Sequence, residues 1–232
     1  MNARMLRAVL LMTAAVILAL SFGFYQYKMA NTRDALLRKS AEKAAEGSYA
    51  DAARAIDKAL NSPSDGKISD NMLFLKKAEY LQRSGDHEQA MSLAMRVMKD
   101  SEEGQQEFDD AWARIVSICS EEEEYEKLAS LLEGSGLPSV KSRYYNYLVY
   151  DPVFRDLPGT YEHQLSLVIE SQGVGSVFYT LDGTEPTEKS NLYSDAILLR
   201  PGTYTVRTMF VNRYGLRSNI VTGTYRILEE GD

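Results

Sequence analysis

The chain has 232 residues, a net charge of −7, 44% hydrophobic residues and 25% charged residues. That length holds one or two folded domains and not a large enzyme, and the composition is that of a chain that folds. An acidic surface repels phosphate backbones, which sets nucleic acid aside as a partner.

Residues 1–27 carry Arg4 and Arg7 and no acid. Residues 8–24 form an uncharged run broken only by Thr13, Ser21 and Gly23. As a helix this run reaches about 25 Å, at the lower limit for a spanning segment. Tyr25 and Tyr27 extend it into an interfacial aromatic position. The expectation is an N-terminal transmembrane helix over 1–27, an uncleaved signal anchor holding a single-pass protein in the cell membrane. The rival is cleavage at Ala19-Leu20-Ser21, against which the apolar run continues through Phe22 and Phe24. Lys28, Arg33, Arg38, Lys39 and Lys43 on the far flank leave the positive-inside rule undecided. The short basic tail favours an inner N-terminus with the bulk of the chain extracytoplasmic.

Residues 28–141 are rich in Ala, Leu, Glu and Lys, strong helix formers. A period of 38 runs through them: Tyr49, His87 and Tyr125; Ala52, Ala90 and Leu128; Ile56, Ala94 and Leu132; Gly47, Gly85 and Glu123. Such a period marks stacked helical hairpins. Helices are expected at 32–46, 49–61, 71–84, 87–99, 106–121 and 124–133. Small Ala at the repeated position allows close helix approach. Gly47-x-Tyr49-x-x-Ala52-x-x-x-Ile56-x-x-Ala59 followed by Pro63 resembles the tetratricopeptide repeat over about 32–135. The 38-residue unit departs from that family's 34, so the loops between repeats are longer. The resemblance implies a face that binds a protein partner; a plain spacer is the alternative.

From about residue 142 the composition turns to β. Residues 142–232 hold ten of the 15 tyrosines and one alanine, Ala196. Strands are expected at 164–169, 177–180, 197–199, 204–211 and 221–227, with turns at Asp182-Gly183, Pro201-Gly202 and Tyr214-Gly215. This pattern argues for a β-sandwich over 142–232. The string Val177-Phe178-Tyr179-Thr180-Leu181-Asp182-Gly183-Thr184-Glu185-Pro186-Thr187, with Pro158-Gly159-Thr160-Tyr161 before it and Leu192-Tyr193 and Asn212-x-x-Gly215-x-x-Ser218 after it, resembles the chitobiase/β-hexosaminidase C-terminal domain over about 150–228. The resemblance implies an Ig- or fibronectin-like accessory module of secreted or surface proteins, outside the catalytic domain.

The fold class expected is therefore multi-domain α plus β: transmembrane helix, tetratricopeptide-like hairpin repeats, and an Ig/fibronectin-like sandwich. No catalytic, cofactor-binding or metal-binding residue is expected. Asp182 and Glu185 read as turn residues rather than a glycosidase pair. The acidic run 121–124 reads as a solvated helix junction, His87 as a packing residue, His163 as exposed, and Cys119 as a buried thiol on the face of Trp112 and Ile115. Phe178, Tyr204 and Tyr214 are candidate ligand-contact aromatics, since such rings stack on sugars; cross-strand pairing is the alternative. The functional expectation is a non-catalytic scaffold or adaptor for protein partners, with a carbohydrate- or cell-wall-binding module as the alternative and no cofactor in either.

Overall fold

A computed structural model describes residues 3–64 and 66–229; the side chains of residues 3–11, 14 and 30 lie outside the description. Helices come first, then strands, in two compact units, 1–122 and 123–232.

The first unit holds α1 (Ala3–Ala30), α2 (Arg33–Ala45), α3 (Tyr49–Leu60), α4 (Asp70–Arg83), α5 (His87–Asp100) and α6 (Gln106–Glu121). The side chains of Thr32, Ser69 and Asp86 cap α2, α4 and α5 by accepting from backbone N–H groups three residues on. Helices α2 and α3 pair, as do α4 and α5, and α4 also packs on α6. The period of 38 is visible in the backbone. Gly47 and Gly85 end their helices at φ 77° and 86°, and the N–H of the following residue closes back on the carbonyl five residues earlier. Ala52, Ala59, Ala78, Ala90 and Ala94 are fully buried, where helices approach too closely for a larger side chain.

The expected membrane-spanning helix is not supported. Among the described residues no helix is long and apolar enough to cross a membrane. Helix α1 has 28 residues, of which side chains are described over 12–13 and 15–29. Ser21, Gln26 and Lys28 interrupt the second stretch. The start of the expected run, 8–11, together with Arg4, Arg7 and Ala14, lies outside the described side chains.

Among the described residues the second unit holds α7 (Tyr125–Gly134), α8 (Pro138–Arg143), a 3-10 turn (Tyr145–Tyr147) and nine strands. These are β1 (Val153–Phe154), β2 (Gly159–Tyr161), β3 (Leu165–Leu167), β4 (Ile169–Glu170), β5 (Gly175–Thr180), β6 (Asn191–Leu192), β7 (Ile197–Leu199), β8 (Gly202–Asn212) and β9 (Val221–Ile227). The main sheet runs β2-β9-β8-β5-β6, with β2 parallel to β9 and its other pairs antiparallel. The pairs β3–β7 and β1–β4 form two short sheets. Val177, Val206, Phe210, Tyr225 and Ile227 from the main sheet join Leu167, Ile197 and Leu199 from β3–β7, and Phe154 and Ile169 from β1–β4, in one core. Each such large side chain contributes roughly 1.5–3 kcal/mol by leaving water.

One departure from the expected strands has a clear cause. Strands β1, β2 and β6 have two or three residues, too few to show alternation. On β8, Met209 and Val211 are buried although they face away from Val206, Thr208 and Phe210. The segment after β8 also pairs along its edge: Ser218 N–H donates to the Phe210 carbonyl at 2.9 Å, and Asn212 N–H to that of Leu216 at 2.9 Å.

Candidate functional site

In the first unit, α4 and α6 enclose an open groove of about 520 Å³. Met72, Leu75, Lys76 and Glu79 line it from α4, and Asp110, Ala113 and Arg114 from α6. The α4 residues follow the three- and four-residue spacing of one helix face. Leu75 is buried and Met72 is 48% exposed, so the apolar part of the groove meets solvent.

A charged network rims it. Glu79 accepts ion pairs from Lys76 and Arg83 at 3.0 Å each, and from Arg114 at 3.8 Å. Arg114 Nη1 donates to Gln82 Oε1 at 2.9 Å, while Gln82 Nε2 donates to Ser117 at 3.0 Å and Glu121 at 2.6 Å. Burial lowers the Arg114 pKa, and Glu79 opposes that shift; guanidinium stays charged regardless. The groove thus offers apolar area, a fixed cation and an acceptor, which suits a peptide segment. The sequence reading did not single out Lys76, Glu79, Gln82 or Arg114. Their only local signal is the polar spacing along α4; what pairs them with α6 lies more than thirty residues away.

The residues weighed as chemical candidates take structural places. His87 Nδ1 is hydrogen-bonded to the Glu122 carboxylate, and its other nitrogen lies 3.9 Å from Glu121. It therefore ties the start of α5 to the end of α6 in addition to any packing role. Cys119 is buried, and Glu121, Glu122, Glu123 and Glu124 are exposed. Among the described residues no group of three or more His, Cys, Asp or Glu is placed to hold a metal ion.

In the second unit, Asp182 Oδ1 accepts from Thr184 N–H at 3.0 Å and from the Thr184 hydroxyl at 2.6 Å. Those hydrogen bonds hold its carboxyl below the usual carboxylate range. A general acid needs the opposite shift. Gly183 sits at φ 80°, completing the turn.

The candidate aromatics are not gathered on one face. Phe178 pairs across the sheet with Met209 and Leu192. Tyr204 lies five residues from Met209 on β8, hence on the opposite face, where it packs against the core. Tyr214 packs between Tyr125 and Tyr147, with ring centroids 4.4 and 4.8 Å away. All three are half-buried.

Residues 157–222 match the family model of the chitobiase/beta-hexosaminidase C-terminal domain. The match supports an Ig-like reading of this β-rich part and leaves the helices outside it. Comparison with curated proteins finds no match to the chain.

Proposed function

We propose that the chain is a non-catalytic adaptor whose α4–α6 groove seats a segment of a protein partner, while the β-rich unit makes a further contact. The carrying observation is the groove itself: Met72 and Leu75 flanked by the Glu79–Arg114 pair, between two helices that each open a hairpin step. Equivalent backbone and burial at positions 38 residues apart support reading these hairpins as tetratricopeptide-like. Ala113 is exposed on the groove wall, so Ala113→Trp fills the groove without touching the core. Peptide-display clones enriched on the full chain should lose binding to Ala113→Trp. Absence of any enriched clone that loses binding to Ala113→Trp would overturn the assignment.

Carbohydrate binding is the second reading, favoured by the family match. A glycan array probed with the full chain tests it, and no signal is its refutation. The hydrogen-bonded, acid-shifted Asp182 supports the non-enzymatic reading: chromogenic chito-oligosaccharides should not be hydrolysed, and turnover lost in Asp182→Asn would overturn it.

A further inference from the structure

The second unit contains a cleft of about 900 Å³ that the family match covers only on one side. One wall is α7, which presents Glu126, Ala129, Ser130, Glu133 and Gly134, a spacing that keeps all five on one helix face. The facing wall is formed by Val149, Leu216 and Arg217, with Gly215. Small residues keep the space open: a Cβ built at Gly134 or Gly215 would meet nothing within 4 Å.

The walls are fixed to one another. Tyr125 adjoins Glu126, Tyr214 adjoins Gly215, and Tyr147 lies two residues before Val149. Their three rings pack together. Asn212 Oδ1 pins the loop by accepting from Tyr214 N–H at 2.9 Å and Leu216 N–H at 3.0 Å. The cleft is therefore a preformed feature, which lowers the ordering cost of binding.

Its charge is unbalanced. Arg217 is paired with Glu188 at 2.7 Å. Glu126 and Glu133 are exposed, and neither is in an ion pair among the described residues. Two carboxylates are left uncompensated along one edge. Seven residues of helix separate them by about 10 Å on the same face.

We propose that this cleft binds a basic peptide segment in polyproline-II conformation, with two Arg or Lys three residues apart. In that conformation side chains three residues apart share one face and lie about 9 Å from each other, which matches the two carboxylates. Val149 and Leu216, both half-buried, supply apolar surface for the residues between.

The test uses the full chain and an acetylated, amidated hexapeptide of sequence Pro-Arg-Pro-Pro-Arg-Pro carrying a fluorophore, read by anisotropy at low and high salt. Saturable binding that weakens with salt is expected. Glu126→Gln with Glu133→Gln should weaken it about five- to tenfold. Glu162→Gln with Glu170→Gln changes net charge equally on exposed positions outside the cleft and should leave binding unchanged. A peptide with the two Arg adjacent should bind less well. The proposal is overturned by absence of saturable binding, by equal loss in both double variants, or by equal affinity for the two Arg spacings. An unchanged melting temperature in the double variants shows that any loss belongs to the site.

Discussion

The third position of the 38-residue period gives a sensitive test of the helical hairpins. Gly47, Gly85 and Glu123 all lie in the left-handed region, at φ 77°, 86° and 56°. Among the described residues Glu123 is the one non-glycine with positive φ. The left-handed conformation costs a residue with a Cβ about 1–2 kcal/mol, and glycine's extra freedom in the unfolded chain offsets roughly 0.5–1 kcal/mol of any relief. Glu123→Gly is therefore expected to stabilise the protein by about 0.5–1 kcal/mol, or roughly 1–4 °C in melting temperature for a chain of this size. Glu123 forms no ion pair among the described residues that the change would remove. Gly85→Ala is the mirror experiment. Its added Cβ would meet nothing within 4 Å, so its cost is the backbone cost alone, about 1 kcal/mol. Urea unfolding followed by circular dichroism at the helical band measures both. A Glu123→Gly midpoint at or below wild type, or an unchanged midpoint in Gly85→Ala, would refute the equivalence of the three turns.

Other consequences follow from the packing. Ala90→Leu, at a fully buried position, should overpack its hairpin and cost about 1–3 kcal/mol, read as a lower urea midpoint. Gly175→Ala should cost roughly 3 kcal/mol, because its Cβ would lie 2.2 Å from the Val211 carbonyl oxygen and 2.8 Å from Asn212 Cα; a normal near-ultraviolet spectrum and midpoint would contradict this. Gly183→Val should weaken the β-rich unit, since φ is 80° and the Cβ would stand 3.2 Å from Thr205, whereas Asp182→Asn should do much less; comparable melting of the two variants would contradict the turn assignment. The Tyr225 hydroxyl donates to the Asp156 carbonyl at 2.8 Å, and burial pushes its pKa up to about 12 from 10. The folded state favours the protonated phenol, so its contribution is full below the unfolded value and is lost as pH rises from 10 through about 12. Tyr225→Phe should cost about 1 kcal/mol at neutral pH and flatten the stability profile across that alkaline window, as a pH series of unfolding midpoints would show.

Local periodicity fixed what depends on one element at a time. The expected helix at 49–61 is observed as Tyr49–Leu60, and the expected strand at 221–227 as Val221–Ile227. The alternation of β9 was legible because every second side chain enters one core. The turn at Asp182-Gly183 was legible because only small or polar residues fit it. What needed the tertiary structure depends on which distant surfaces meet. Tyr214 reads as an outward aromatic until Tyr125 and Tyr147 come against it from 89 and 67 positions earlier in the chain. Arg114 carries no signal in the sequence, because only the packing of α6 on α4 sets it beside Glu79 and Gln82. Sequence spacing reports which side of an element is apolar; it carries no distance between side chains that only packing brings together.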